Sequence, residues 1–194
     1  MKKVEDNIEN MVVPCWIYQN DHGIPHDVCD YYVKKHENKK FTLGKTGIFE
    51  KQEKVDKNVR DVKKIDLPTF TGVTSYLIAA ALDANFQNWN YHLNCCSQSE
   101  YLIYTRNGRY TTHIDYEYAR NQEYVRKLTC ITILNDKFKG GLFYIINGNG
   151  EKHFPPQEKG NIIIFPSNTL HGCETVYEGQ RHAVVAWMSG KQFV

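Results

Sequence analysis

Four residues in the C-terminal half have the types and spacing of a metal site. His113 and Asp115 flank Ile114, His171 follows 58 residues after His113, and Arg181 comes ten residues after His171. Two imidazoles and one carboxylate on one face of a metal suit non-haem Fe(II), because they leave coordination positions open for a co-substrate and oxygen. A separation of two places His113 and Asp115 on the same face of a β-strand, with Ile114 on the other. An H-x-D triplet alone is a weak motif, and a lone strand histidine is more often a core residue than a ligand. The set gains weight from its order along the chain. A strand carrying H-x-D comes first, the strand-like run 161–166 then leads into Ser167-Asn168-Thr169-Leu170-His171, and a final strand opens with Arg181.

Charge accounting extends the set. Fe(II) held by two neutral imidazoles and one carboxylate is singly positive, and a bidentate 2-oxo acid neutralises it. If that co-substrate is a dicarboxylate, its far carboxylate needs a cation in a buried setting. Arg181 supplies a forked, permanently charged donor. On the final strand it shares a face with Ala183, Val185 and Trp187, so small side chains leave room for a narrow co-substrate and Trp187 closes the floor or gates the mouth.

The elements that must position these residues fall into two regions. The 194 residues suit one domain, with 1–95 as a supporting region of helices and strands and 96–194 as the catalytic core. From about residue 100 the chain is a series of short β-like runs: 101–105, 110–116, 126–134, 142–146, 161–165, 169–173 and 181–188. Turn signals such as Asn107-Gly108, Gly140-Gly141 and Gly148-Asn149-Gly150 punctuate them, which predicts a sandwich or a barrel-like double sheet. Upstream, 11–19 reads as a strand, 25–35 as a helix opening on Pro25, and 71–89 as a second helix with Tyr76, Leu77, Ala80, Ala81, Ala84 and Asn88 along one side. The charged stretch 39–64 reads as strands joined by a solvated loop, most polar over 51–58, and its charge run 51–64 is a candidate lid. The helices are expected to cover one sheet, with Ile114 filling that interface.

Composition limits the partners. A net charge of +2 is too weak to argue for nucleic acid or a membrane surface. No apolar stretch suits a signal peptide or a bilayer span, so a soluble, cytoplasmic protein is expected, as a monomer or weak homodimer. The six cysteines have no C-x-x-C spacing, and without a secretory signal reduced thiols are expected. His22, His26, His36, His92, His153 and His182 have no partner at ligand spacing.

Residues 101–190 resemble the catalytic core of the Fe(II)/2-oxoglutarate-dependent dioxygenases, in the prolyl 4-hydroxylase-like branch. Tyr104-Thr-Arg-Asn-Gly-Arg-Tyr110-Thr-Thr-His113-Ile-Asp115 is similar to that branch's Y-x-x-G-x-Y/F-x-x-H-x-D strand pair. Arg126-Lys-Leu-Thr-Cys-Ile-Thr-Ile-Leu-Asn135, with Gly140-Gly141-Leu142, resembles its next segment. The run from Phe165 through His171 to Arg181 and Trp187 resembles its distal-histidine segment, with a His-to-Arg gap similar to PKHD-type hydroxylases. Arg60, in Val59-Arg60-Asp61-Val62-Lys63, falls in a looser echo of an N-terminal strand.

The resemblance implies a mainly β fold with flanking helices: a double-stranded β-helix, or jelly-roll, core with N-terminal helices packed on one sheet. It implies His113, Asp115 and His171 as Fe(II) ligands and Arg181 on the distal carboxylate of 2-oxoglutarate. It adds Tyr104 to the co-substrate pocket, with Thr129 or Thr132 as further hydrogen-bonding residues depending on strand register. Ile133 stands where some relatives have a co-substrate-binding tyrosine. Tyr116, Trp187 and Arg60 are candidates near the substrate. The implied reaction uses O2, with ascorbate as reductant, and decarboxylates 2-oxoglutarate to succinate and CO2 while hydroxylating a C–H bond, first of all in a protein prolyl residue. The alternatives are a free amino acid or small metabolite as substrate, or a non-catalytic jelly-roll binding module. Nucleic-acid demethylation fits poorly because Trp187 stands where that group has a second arginine, and halogenation because Asp115 is present.

Overall fold

The computed structural model describes residues 15–37, 39–45, 55–70, 72–116 and 123–192. The N-terminal region supplies strand β1 (Trp16–Tyr18), helix α1 (His26–His36), strands β2 (Thr42–Leu43), β3 (Arg60–Asp61) and β4 (Lys63–Asp66), and helix α2 (Val73–Asn88). The core follows as β5 (Cys95–Tyr104), β6 (Arg109–His113), β7 (Tyr124–Ile133), β8 (Phe138–Gly140), β9 (Phe143–Ile146), β10 (Lys152–His153), β11 (Ile162–Pro166), β12 (His171–Cys173), β13 (Val176–Gly179) and β14 (Arg181–Lys191).

These strands build two antiparallel sheets and a small ribbon. The major sheet has the order β1-β11-β7-β14-β5-β4-β2, the minor sheet β10-β9-β12-β6-β3, and β13 pairs with β8. The non-sequential neighbours are those of a jelly-roll, with the helices packed on the major sheet. The N-terminal region contributes strands to both sheets, as well as the two helices.

The major sheet is buried on both faces, so β11 and the 183–188 stretch of β14 run apolar without alternating. In β11, Ile162 and Ile164 join the cluster under the helices, while Ile163 and Phe165 point between the sheets. In β14, Val184, Ala186 and Met188 face the helices, and Ala183, Val185 and Trp187 face the minor sheet. Alternation therefore assigns each residue of these strands to one of two interiors.

Helix α2 lays Val73, Leu77, Ile78, Ala81 and Ala84 on the sheet, its alanines allowing close approach. The expected helical face is displaced: Tyr76 is 40% exposed and Asn88 is exposed, while Thr74 and Asn85 are buried in their place. Asn85 closes the helix end, donating to the Tyr91 carbonyl and accepting the Tyr91 N–H, both at 2.9 Å. Ile114 does not fill the helix interface. It is 46% exposed, because its chain segment follows a strand of the minor sheet, whereas α2 packs on the major sheet. Part of the expected lid, 51–54, lies outside the described residues. All six cysteines are free thiols.

Candidate functional site

The two histidines come from neighbouring strands of the minor sheet. His113 ends β6, His171 opens β12, and the two are direct cross-strand partners. Asp115 arrives differently from the sequence expectation. The strand stops at His113, and the N–H groups of Asp115 and Tyr116 both donate to the Ser167 carbonyl, at 2.9 and 2.8 Å. Ser167 follows β11 of the major sheet, so this pair of bonds carries the chain from one sheet to the other. Asp115 Oδ1 then lies 3.5 Å from His113 Nε2, and Oδ2 lies 3.3 Å from His171 Nε2.

Each imidazole is oriented by its own backbone. His113 Nδ1 is 2.8 Å from the Thr111 carbonyl, and His171 Nδ1 is 2.8 Å from the Thr169 carbonyl. A carbonyl only accepts, so both Nδ1 atoms carry a proton, and both Nε2 atoms face Asp115. The three ligand atoms lie within 4.8 Å of one another. Burial by itself raises the Asp115 pKa, but His171 and His113 outweigh it and hold the carboxyl well below its ordinary range. Burial first, then His171, lowers the His113 pKa. An ionised carboxylate and two imidazoles whose Nε2 atoms are aimed at it form a donor set that fits a divalent metal with open positions.

One cavity between the sheets holds His113, Asp115, His171, Arg181, Tyr104, Trp187 and Arg60. Arg181 is 2% exposed, with its guanidinium carbon 5.4 Å from the centre of the Tyr104 ring. Tyr104 is its direct partner on β5. Arg181 Nε has no hydrogen-bond partner among the described residues. Gly141, at a φ of +63°, runs close beneath it: a Cβ there would meet Arg181 Cδ at 3.2 Å. Arg60 lines the cavity with its charge committed to Glu100 at 3.0 Å, and its guanidinium covers the Tyr110 ring at 4.9 Å.

Three expected residues sit elsewhere. Thr129 lies behind Asp115 and donates to its Oδ2 at 3.0 Å, so its hydroxyl serves the carboxylate rather than the cavity. Thr132 is three positions along β7 and faces the helices, away from the cavity, with its hydroxyl buried and without a partner among the described residues. Tyr116 is half-buried beside Asp115 and outside the cavity lining. His36 and His182, read as incidental, are buried: the Tyr101 hydroxyl is 2.8 Å from His182 Nδ1, and its ring stacks on His36 at 4.2 Å.

Tyr110 was not singled out, yet its ring stacks on His113 with centroids 3.5 Å apart. Simple alternation puts residues 110 and 113 on opposite faces. The pairing of β6 with β12 slips by one residue, since His171 faces His113 but Cys173 faces Tyr110. That irregularity turns both rings inward.

Two histidines and one carboxylate thus meet between the sheets of a jelly-roll as a candidate metal site. The model of the 2OG-Fe(II) oxygenase superfamily matches residues 99–189. Over 82 residues the chain is 35% identical to a PKHD-type hydroxylase of Rippkaea orientalis, covering 41% of this chain and 36% of that protein. A PKHD-type hydroxylase of Synechococcus sp. is 33% identical with the same coverage. The match thus spans little more than a third of these relatives' length. A prolyl-4-hydroxylase of Pseudomonas putida superposes with a TM-score of 0.71 at 14% identity, over 97% of this chain and 98% of that one. The viral collagen prolyl hydroxylase of Paramecium Bursaria Chlorella virus-1 gives 0.66 at 16% identity, over 91% and 96%. Sequence and fold together show the resemblance to the 2OG-Fe(II) oxygenases, in their PKHD-type and prolyl 4-hydroxylase-like branch. Among the described residues no helix is long and apolar enough to cross a membrane.

Proposed function

We propose that this protein is an Fe(II)- and 2-oxoglutarate-dependent dioxygenase that hydroxylates a prolyl residue of a protein or peptide. The observation that carries the reading is a single cavity with the donor set at one place and a buried guanidinium, its Nε without a partner, at another. His113, Asp115 and His171 would hold the metal. Arg181 would bind the far carboxylate of the co-substrate, a charge-assisted contact in a water-poor setting. When bound, Fe(II) supplies the site at which 2-oxoglutarate is oxidatively decarboxylated by O2 and a substrate C–H bond is hydroxylated. The chain's own residues orient the reactants: Tyr104 packs against the guanidinium, and Ala183 and Val185 leave the passage narrow.

The prolyl substrate rests on similarity to the branch. One relative of the fold, from Trichoplax adhaerens, is a prolyl hydroxylase in complex with a peptide fragment (TM-score 0.67). Another, HygX from Streptomyces hygroscopicus, has hygromycin B bound (TM-score 0.58), which supports hydroxylation of a small molecule as the second reading. The test incubates the protein with Fe(II), ascorbate, O2 and 2-oxoglutarate, with and without proline-containing peptides, and measures succinate. Succinate should form above an Asp115→Ala control, and a peptide should raise it further. Equal succinate from the two proteins sinks the oxygenase reading. Stimulation by small metabolites alone moves the substrate to the second reading.

A further inference from the structure

Both oxygens of the Asp115 carboxylate face histidines, but their surroundings differ. Oδ2 accepts the indole Nε1–H of Trp187 at 2.9 Å and the hydroxyl of Thr129 at 3.0 Å. A carboxylate oxygen offers about two lone-pair directions, so these two donors fill Oδ2. We infer that Trp187 and Thr129 are positioning residues that occupy Asp115 Oδ2 and leave Oδ1 as its single oxygen for a metal. The inference rests on the Fe(II)/2-oxoglutarate reading above.

The geometry is built for this task. Trp187 of β14 and Thr129 of β7 are direct cross-strand partners, so one rung of the major sheet supplies both donors. Thr129 has one proton, which goes to Asp115, so Ser167 donates its own hydroxyl proton to Thr129 Oγ1 at 3.0 Å. Ser167 also holds the Asp115 backbone through its carbonyl. The same residue therefore sets both the main chain of the ligand and the direction of the hydroxyl that meets its carboxylate. Trp187 is braced from its other side by the Arg126 guanidinium, 4.2 Å from the ring centre.

The chemical consequence concerns the open positions. A carboxylate with both oxygens available chelates a metal and uses two positions. With Oδ2 engaged by the protein, Asp115 would take one, leaving the open positions to a bidentate 2-oxo acid and oxygen. Removing the two donors frees Oδ2 to compete with the co-substrate while leaving the ligand in place.

The experiment titrates Fe(II) under anaerobic conditions into wild type, Thr129→Val, Trp187→Phe and the double variant. It then titrates 2-oxoglutarate and follows the visible absorption that chelation of the metal produces. Thermal unfolding of the metal-free proteins checks folding, and Thr129→Ser keeps the hydroxyl as a rescue. The expected result is Fe(II) affinity equal to or tighter than wild type, with 2-oxoglutarate affinity lower by about 10-fold in the double variant, a difference of about 1.4 kcal/mol. Thr129→Ser should bind as wild type does. Unchanged 2-oxoglutarate affinity in the folded double variant overturns the inference, and so does a parallel loss of Fe(II) and 2-oxoglutarate. A wild type that binds Fe(II) but develops no absorption with 2-oxoglutarate overturns the underlying reading instead.

Discussion

At the scale of single residues, the chemistry rests on charges brought out of water. Arg181 is almost fully buried with its Nε unpaired, a costly arrangement unless an anion completes it. Arg181→Lys keeps the charge but loses the planar fork. Losing one charge-assisted hydrogen bond, worth about 1.5–3 kcal/mol, should weaken 2-oxoglutarate binding roughly 10- to 100-fold, with Fe(II) binding unchanged. Calorimetric titration of the metal-loaded variant checks this, and equal affinity would remove Arg181 from the co-substrate site. That His113, Asp115, His171 and Arg181 belong to one cavity could be read from the sequence because residue type and order mark them. The role of Thr129 could not, because its hydroxyl meets Asp115 only after the chain crosses from the minor to the major sheet at Ser167.

At the scale of elements, strand alternation decides which threonine does what. Thr129 and Thr132 lie three apart on β7 and so face opposite interiors, one toward Asp115 and the other under the helices. Thr132→Val removes a buried hydroxyl that has no partner and keeps the shape. It should stabilise the fold by about 1 kcal/mol and leave co-substrate binding untouched. Urea unfolding read beside a 2-oxoglutarate titration tests both halves, and a fall in affinity would return Thr132 to the cavity. Most strands of the core follow from their apolar runs and glycine turns, since burial on both faces gives β11 and the middle of β14 continuous hydrophobic stretches. Three features escape such a reading. The two-residue β10 and the ribbon β8–β13 are too short to show a period. The slip between β6 and β12 breaks the period locally. The face of α2 depends on where the sheet lies, so alanine content locates the helix without fixing its rotation.

At the scale of the whole molecule, the helical layer is tied to the sheet by a buried aromatic column. His36 of α1 stacks on Tyr101 of β5, whose hydroxyl meets His182 of β14. Burial, and next the nearby His36, pushes the His182 pKa down to about 4. Burial lowers that of His36 as well. An unfolded imidazole titrates near 6.5, so between about 4 and 6.5 the unfolded chain holds the extra proton. Stability then rises with pH, is complete above about 6.5, and is lost as acid approaches 4, by on the order of 3 kcal/mol for His182. Thermal unfolding across that range should show the decline, and His182→Gln should flatten it; an equal slope in both proteins would place the sensitivity elsewhere.

The same two-sidedness of β14 bears on how the gene can change. Arg181, Ala183, Val185 and Trp187 face the cavity, and the residues between them face the helices. Deleting one codon between 182 and 186 preserves the reading frame, yet on one side of the cut it exchanges the two faces, setting the guanidinium among apolar helix contacts or Trp187 away from Asp115. Substitution can be sampled here one residue at a time, but length cannot. An added codon at the 148–150 turn meets no such limit, since a side chain built on Gly150 has nothing within 4 Å. Variation in length among descendants of this chain should therefore collect in its turns and spare its last strand.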